Sequence, residues 1–200
     1  MQVSRAVRYA FLKLKARTLL VFLQPKAALH AFESMLRIRP HDAYALASCG
    51  HLYALQNSLP AAIGCLQRLV ETSPQAASGW FNLGYLLQKS GEHAEAETAF
   101  RKAVALDERM DRAWYGLGLA LMYAQQFDEA VVALKKTTVL QPMSPHAWYR
   151  LAEAWSALGQ SDEVRDVLLH LRQFEPKVAA QLEQQTLARI HTTVVPHATS

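Results

Sequence analysis

The sequence predicts an all-α fold, a right-handed α-α superhelix (solenoid) of stacked helix-turn-helix units. Three observations predict it. Trp80, Trp114 and Trp148 stand 34 residues apart, each followed by an aromatic residue (Phe81, Tyr115, Tyr149) and then by Leu83, Leu117 or Leu151. Within each such span apolar residues recur at helical spacing, as in Trp114, Leu117, Leu121 and then Ala130, Leu134. Finally, eight Gly and eight Pro in 200 residues are too few for a loop-rich all-β chain, and 51% apolar with 19% charged residues excludes a disordered one.

Taken in order, the spans tile the chain. Residues 9–42 form a divergent copy carried by Leu12, Ala16, Leu19, Ala28, Phe32 and Pro40. Lys15 stands there where an apolar residue is needed, which counts against the first helix of that copy. Residues 43–76 place Leu46, Cys49, Gly50, Tyr53, Ala62, Leu66 and Pro74 at the recurring positions, with Leu46 in place of Trp. Residues 77–110 and 111–144 keep the pattern most fully, and residues 145–178 carry Trp148, Leu151, Trp155 and Pro176. Gly84, Gly118, Ala96 and Ala130 are small because the two helices of a unit must approach closely, and Gly inside a helix otherwise costs about 1 kcal/mol relative to Ala. Ser90-Gly91 and Gly159-Gln160-Ser161 split helix pairs, and Pro25 and Pro60 open second helices. Pro40, Pro74, Pro142 and Pro176 separate units because the residue before each is pushed out of the helix, with Glu108 breaking that series. The expected organisation is therefore a degenerate N-terminal repeat or basic helical cap at 1–42, four repeats at 43–178, and a C-terminal capping helix and tail at 179–200. Val178, Leu182, Leu187 and Ile190 line one side of the capping helix, and the tail is expected from His191.

The succession Trp-x-x-Leu-Gly, Ala, Phe and Pro over 34 residues resembles the tetratricopeptide repeat family, over about 170 residues of the chain. The resemblance implies a non-catalytic protein–protein interaction module whose concave groove runs along the first helix of each repeat. Carried over position by position, that groove comprises Phe81, Asn82, Tyr85, Lys89, Arg112, Tyr115, Leu119, Met122, Tyr123, Tyr149, Arg150 and Glu153, with Ala47 and His51 in the first full repeat. The rings Phe81, Tyr115 and Tyr149 are read as free of packing duty inside their repeats, since the adjacent tryptophans take that role. They are expected to anchor a peptide or extended segment of a partner, with Arg112, Arg150, Lys89 and Glu153 setting direction and selectivity. A carboxylate clamp like that of chaperone-binding members is not expected. Asn82 and Arg112 fill two of its places, but Ala47, His51 and Gly116 supply no charge. Such a module would act as an adaptor, assembly factor or chaperone-like scaffold in the cytoplasm.

The net charge of +4 gathers at one end. Residues 1–42 hold eight Lys or Arg against Glu33 and Asp42, and the remainder holds thirteen basic and fifteen acidic residues. A basic stripe for nucleic acid is therefore not expected. Drawn as a helix, Val3, Val7, Ala10, Phe11, Leu14 and Val21 form one apolar stripe with Arg5, Arg8, Lys13 and Lys15 off it, which suits an anionic membrane surface. Tyr9, Leu12, Leu19 and Leu23 form a second apolar side, as in a helix sandwiched at the end of a solenoid. The cap is the favoured reading, and a membrane-peripheral scaffold is the alternative. An apolar face at this end is also compatible with a homodimer. No apolar run reaches the length of a transmembrane helix, and no secretory signal pattern is present. Cys49 and Cys65 are expected as buried structural thiols. The eight histidines show no metal-ligand spacing, and no nucleophile motif or phosphate loop occurs, so no enzyme activity, metal or cofactor is expected.

Overall fold

The computed structural model describes residues 4–193, with side chains through residue 184. Among them are eleven α-helices and no strand. The chain forms two compact units, residues 1–108 and 109–200.

The first unit contains α1 (Arg5–Val21), α2 (Pro25–Ile38), α3 (Ala43–Leu55), α4 (Leu59–Thr72), α5 (Ala77–Ser90) and α6 (His93–Leu106). Each of these helices packs on the next. Phe32, Met35, Leu46 and Cys49 are fully enclosed in its core. The second unit contains α7 (Asp111–Tyr123), α8 (Phe127–Leu140), α9 (Pro145–Ala157), α10 (Ser161–Phe174) and α11 (Pro176–Thr193). Leu121, Leu134 and Leu171 are its largest enclosed side chains. This is an all-α solenoid of stacked helical hairpins. Two details depart from the sequence reading. Despite Lys15, α1 forms over 17 residues, with that side chain exposed to solvent. The terminal helix runs to Thr193 rather than stopping before His191; Leu187 and Ile190 lie outside the described side chains.

All five hairpins turn by one device. Leu23, Asn57, Gly91, Gln125 and Gly159 have positive φ, between 52° and 90°, and they too stand 34 residues apart. The N–H that follows each donates to the carbonyl five residues earlier: Gln24 to Leu19, Ser58 to Tyr53, Glu92 to Leu87, Gln126 to Leu121 and Gln160 to Trp155, at 2.8–3.0 Å. This six-to-one bond, with a left-handed residue inside it, is the Schellman closure of a helix end. The N-terminal hairpin, whose sequence is the most divergent, uses it as fully as the others.

In the α5–α6 and α7–α8 hairpins the helices close over a glycine. A Cβ on Gly118 would stand 2.7 Å from Leu134 Cγ, and one on Gly84 would stand 2.9 Å from Phe100 Cδ1. Both facing side chains are fully enclosed, so they cannot swing aside. Between hairpins the tryptophans act as ties. The Trp80 indole N–H donates to the Pro74 carbonyl at 2.8 Å, and that of Trp148 to the Pro142 carbonyl at 2.7 Å, each six residues back. Leu46 has no such donor. The carbonyl it would have served, that of Pro40, instead accepts from Arg68 Nη2 at 2.7 Å. A guanidinium from α4 thus replaces an indole from α3.

Tyr9 fixes α1. Its ring is buried, its hydroxyl donates to the Asp42 carboxylate, and the Arg39 guanidinium lies 4.2 Å from its ring centre. Asp42 also caps α3, accepting from the Ala45 N–H at 2.8 Å. Burial and the bond to Asp42 raise the Tyr9 phenol above its ordinary value.

Candidate functional site

In the first unit α3 and α5 wall an open cleft of about 170 Å³. Ala47, His51 and Ala54 face it from α3, Asn82 and Tyr85 from α5, and Gly50, Leu66 and Leu86 close its floor. His51 and Asn82 are exposed, and 54% of Tyr85 is open to solvent. The arrangement is a small apolar floor inside a polar rim. It has room for an apolar side chain, and Asn82 offers a donor and an acceptor to a backbone amide. Ala47, His51, Asn82 and Tyr85 were legible from the repeat register. Ala54 was missed, although it stands 34 residues before Gln88 in that register; a small residue gives no chemical signal of its own.

Phe81 belongs elsewhere. Its ring packs against Phe100 in the same hairpin, with centroids 6.2 Å apart and planes tilted by 46°. The expectation that this ring has no packing role inside its repeat is therefore corrected: Phe100 fills the space left by Gly84, and Phe81 covers Phe100. Lys89, at the end of α5, reaches Asn57 Oδ1 at 3.4 Å.

In the second unit Tyr115 on α7 and Tyr149, Arg150 and Glu153 on α9 are all half-buried. Arg150 Nη1 donates to Glu153 Oε2 at 2.7 Å, and its guanidinium lies 5.8 Å from the Tyr149 ring centre. Burial works against the charge of Arg150, but the bonds to Glu153 and to Tyr115 outweigh it and raise its pKa. Arg150 and Glu153 were expected to read a partner's charge; they are first of all each other's partners. Leu119 and Met122 are half-buried, Arg112 is exposed in the first turn of α7, and Tyr123 is 68% exposed at its end. The second unit also holds His170 between the rings of Trp148 (4.3 Å) and Phe174 (5.2 Å), its Nε2 buried without a hydrogen-bond partner.

A second cleft in the first unit was not foreseen. Glu33, Leu36, Arg37, Cys49, Tyr53, Cys65 and Arg68 line it. The Tyr53 hydroxyl donates to Glu33 Oε1 at 2.5 Å. Cys49 and Cys65 are both buried and free, and a hydrogen bond between them together with burial pushes the Cys49 thiol up. The lining of this cleft comes from three helices, Glu33, Leu36 and Arg37 from α2, Cys49 and Tyr53 from α3, and Cys65 and Arg68 from α4; each set has helical spacing, but nothing local signals that the three meet.

Hairpins that repeat one turn at a 34-residue interval, with recurring glycine closures and indole ties in the same register, define a helical-repeat protein. A family model described as the cilia and flagella-associated protein 70 middle TPR-like domain matches residues 60–175, more than half of the chain, and a tetratricopeptide repeat model matches residues 13–77. The chain belongs to the tetratricopeptide repeat family. Its fold is similar to the crystal structure of MamA protein, with a TM-score of 0.79 at 22% identity over 86% of this chain and 94% of that one. It is similar also to YrrB, described as a TPR protein with an unusual peptide-binding site, with a TM-score of 0.77 at 19% identity over 84% and 88% of the two chains. A MamA chain from Desulfovibrio magneticus RS-1, spanning residue 41 to its end, gives 0.73 at 19% identity over 89% and 96%. At these identities the likeness is one of fold. No curated protein matches the sequence.

Proposed function

We propose that the chain is a non-catalytic scaffold that binds an extended segment of a partner protein against the first helices of its hairpins. In this role it serves as an adaptor, assembly factor or chaperone-like holder in the cytoplasm. The cleft between α3 and α5 is the observation that carries the reading. Its floor of Gly50, Leu66 and Leu86 takes one apolar side chain, while Asn82, His51 and the Tyr85 hydroxyl can bond the backbone on either side of it. The peptide-binding site named for YrrB, a protein of the same fold, gives the reading a precedent. In the second unit, Tyr115, Tyr149 and Arg150 are proposed as a further contact surface, held in place by Glu153.

The test is selection of peptides from a random display library on the intact chain, followed by affinity measurement on variants. Enriched peptides should share an apolar anchor and bind the Tyr85→Ala, Asn82→Ala variant about tenfold or more weakly, the loss of one or two well-placed contacts. The melting temperature should hold, because both side chains are exposed. Peptides that bind parent and variant equally well would remove the cleft from the site. Phe81→Ala is unsuited to this test, since it strips the cover from Phe100.

A further inference from the structure

We propose that the outer face of α1 is a docking surface for an anionic lipid bilayer. This goes beyond the peptide-binding reading and stands independently of it. On α1, Tyr9, Leu12, Ala16 and Leu19 turn into the core of the first unit. The opposite side presents Val7, Phe11, Leu14 and Val21, each between 58% and 77% exposed. Their spacing of four, three and seven residues aligns them on one helical line, and Phe22 and Leu23 extend the apolar surface past the helix end at 69% and 88% exposure. Leu23 is thus no part of the buried side: among the described residues, one face of α1 packs into the core of the first unit and the other is bare.

The charges around the bare face decide what it fits. At the angular step of an α-helix, Arg8 and Lys15 fall along one edge of the stripe and Arg17 along the other, all three exposed, whereas the Lys13 ammonium lies over the Tyr44 ring, 5.5 Å from its centre. The first acidic residue of the chain is Glu33. A second copy of the chain laid on this face would bring two sets of cations together with no acid on either helix to pair them. An anionic bilayer satisfies both parts at once. The apolar line enters the boundary between headgroups and acyl chains, and the flanking cations meet lipid phosphates. Tyr9 bonded to Asp42 keeps the helix clamped to the body of the unit, so the face is presented already formed.

Flotation of the full chain with vesicles tests the proposal, using phosphatidylcholine alone and phosphatidylcholine mixed with phosphatidylglycerol. The chain should float with the mixed vesicles only, and less as salt rises and screening shortens the reach of the cations. Phe11→Gln, Leu14→Gln should reduce binding about tenfold or more, with the circular dichroism spectrum unchanged because both side chains are already in water. Tyr85→Ala should float as the parent does. Failure to float with anionic vesicles at low salt, or equal flotation of the double variant, overturns the proposal. So does light scattering that finds a dimer split by the same double variant, which would make the occupant a second copy of the chain.

Discussion

Tyr53 and Glu33 join α3 to α2 through a hydroxyl–carboxylate bond of 2.5 Å, and the bond shifts both groups in opposite directions. Donation to Glu33, reinforced by burial, pushes the Tyr53 phenol up to about 12, while acceptance from Tyr53 holds the Glu33 carboxyl below its ordinary range. The signs give stability two separate pH limits. The phenol's raised pKa contributes stability that is complete below its ordinary value of 10.0 and lost as pH rises through about 12. The lowered carboxyl contributes stability that is present above its ordinary value of 4.5 and lost as pH falls through its depressed one. Absorbance titration should therefore find Tyr53 ionising near 12, and Glu33→Gln should return it toward 10.0, leave the late ionisation of Tyr9 in place and flatten the acid limb of the stability curve. Arg68 is a second residue whose role depends on one atom. Arg68→Met keeps the aliphatic stem but removes the donor to the Pro40 carbonyl, and urea unfolding should register a loss of about 0.5–1 kcal/mol, the range of a single solvent-accessible hydrogen bond.

At the scale of the element, the recurring turn sets a conformational demand that its residues meet unequally. Gly91 and Gly159 adopt positive φ without steric cost, and Asn57 is among the side chains best suited to it. Leu23 and Gln125 hold the same conformation, at φ of 52° and 59°, with a Cβ that opposes it. Left-handed geometry costs such residues about 1–2 kcal/mol, and glycine gives back about half of that in unfolded-chain entropy. Gln125→Gly should thus stabilise the protein by about 0.5–1 kcal/mol, seen as a higher urea midpoint at unchanged slope. The same contrast accounts for what sequence could say about these turns. Gly91, Gly159 and Asn57 announce a helix end by residue type. Leu23 and Gln125 do not, and only the 34-residue register places them. Gly118 and Gly84 are legible for the opposite reason: a glycine inside a strongly periodic helix has a cost that must be repaid, here by the close approach of Leu134 and Phe100.

For the molecule as a whole, the period, the helix pairs and the solenoid follow from residue types whose demands are local. Long-range choices are where sequence reading fell short. Both sides of α1 are apolar, so helical spacing alone does not say which is buried. Tyr9 reaching Asp42 across 33 residues, and Ala16 fitting the core, decide for the Leu12 and Leu19 side and leave Phe11 and Leu14 in water. The packing of Phe81 escaped in the same way, since it recurs with Tyr115 and Tyr149 whether it packs on a neighbour or faces outward. The candidate cleft was half legible, through Asn82 and Tyr85 but not through Ala54. Among the described residues no helix is long and apolar enough to cross a membrane. The ties between hairpins carry a consequence for ancestry. Trp80 stands six residues after Pro74, as Leu46 stands six after Pro40. An in-frame loss of residues 43–76 would bring the Trp80 indole into register with the Pro40 carbonyl just as Arg68 departed. Unequal crossing-over can thus shorten or lengthen such a gene by whole units with a ready-made splice at each join, whereas the Arg68 contact belongs to its own unit and leaves with it.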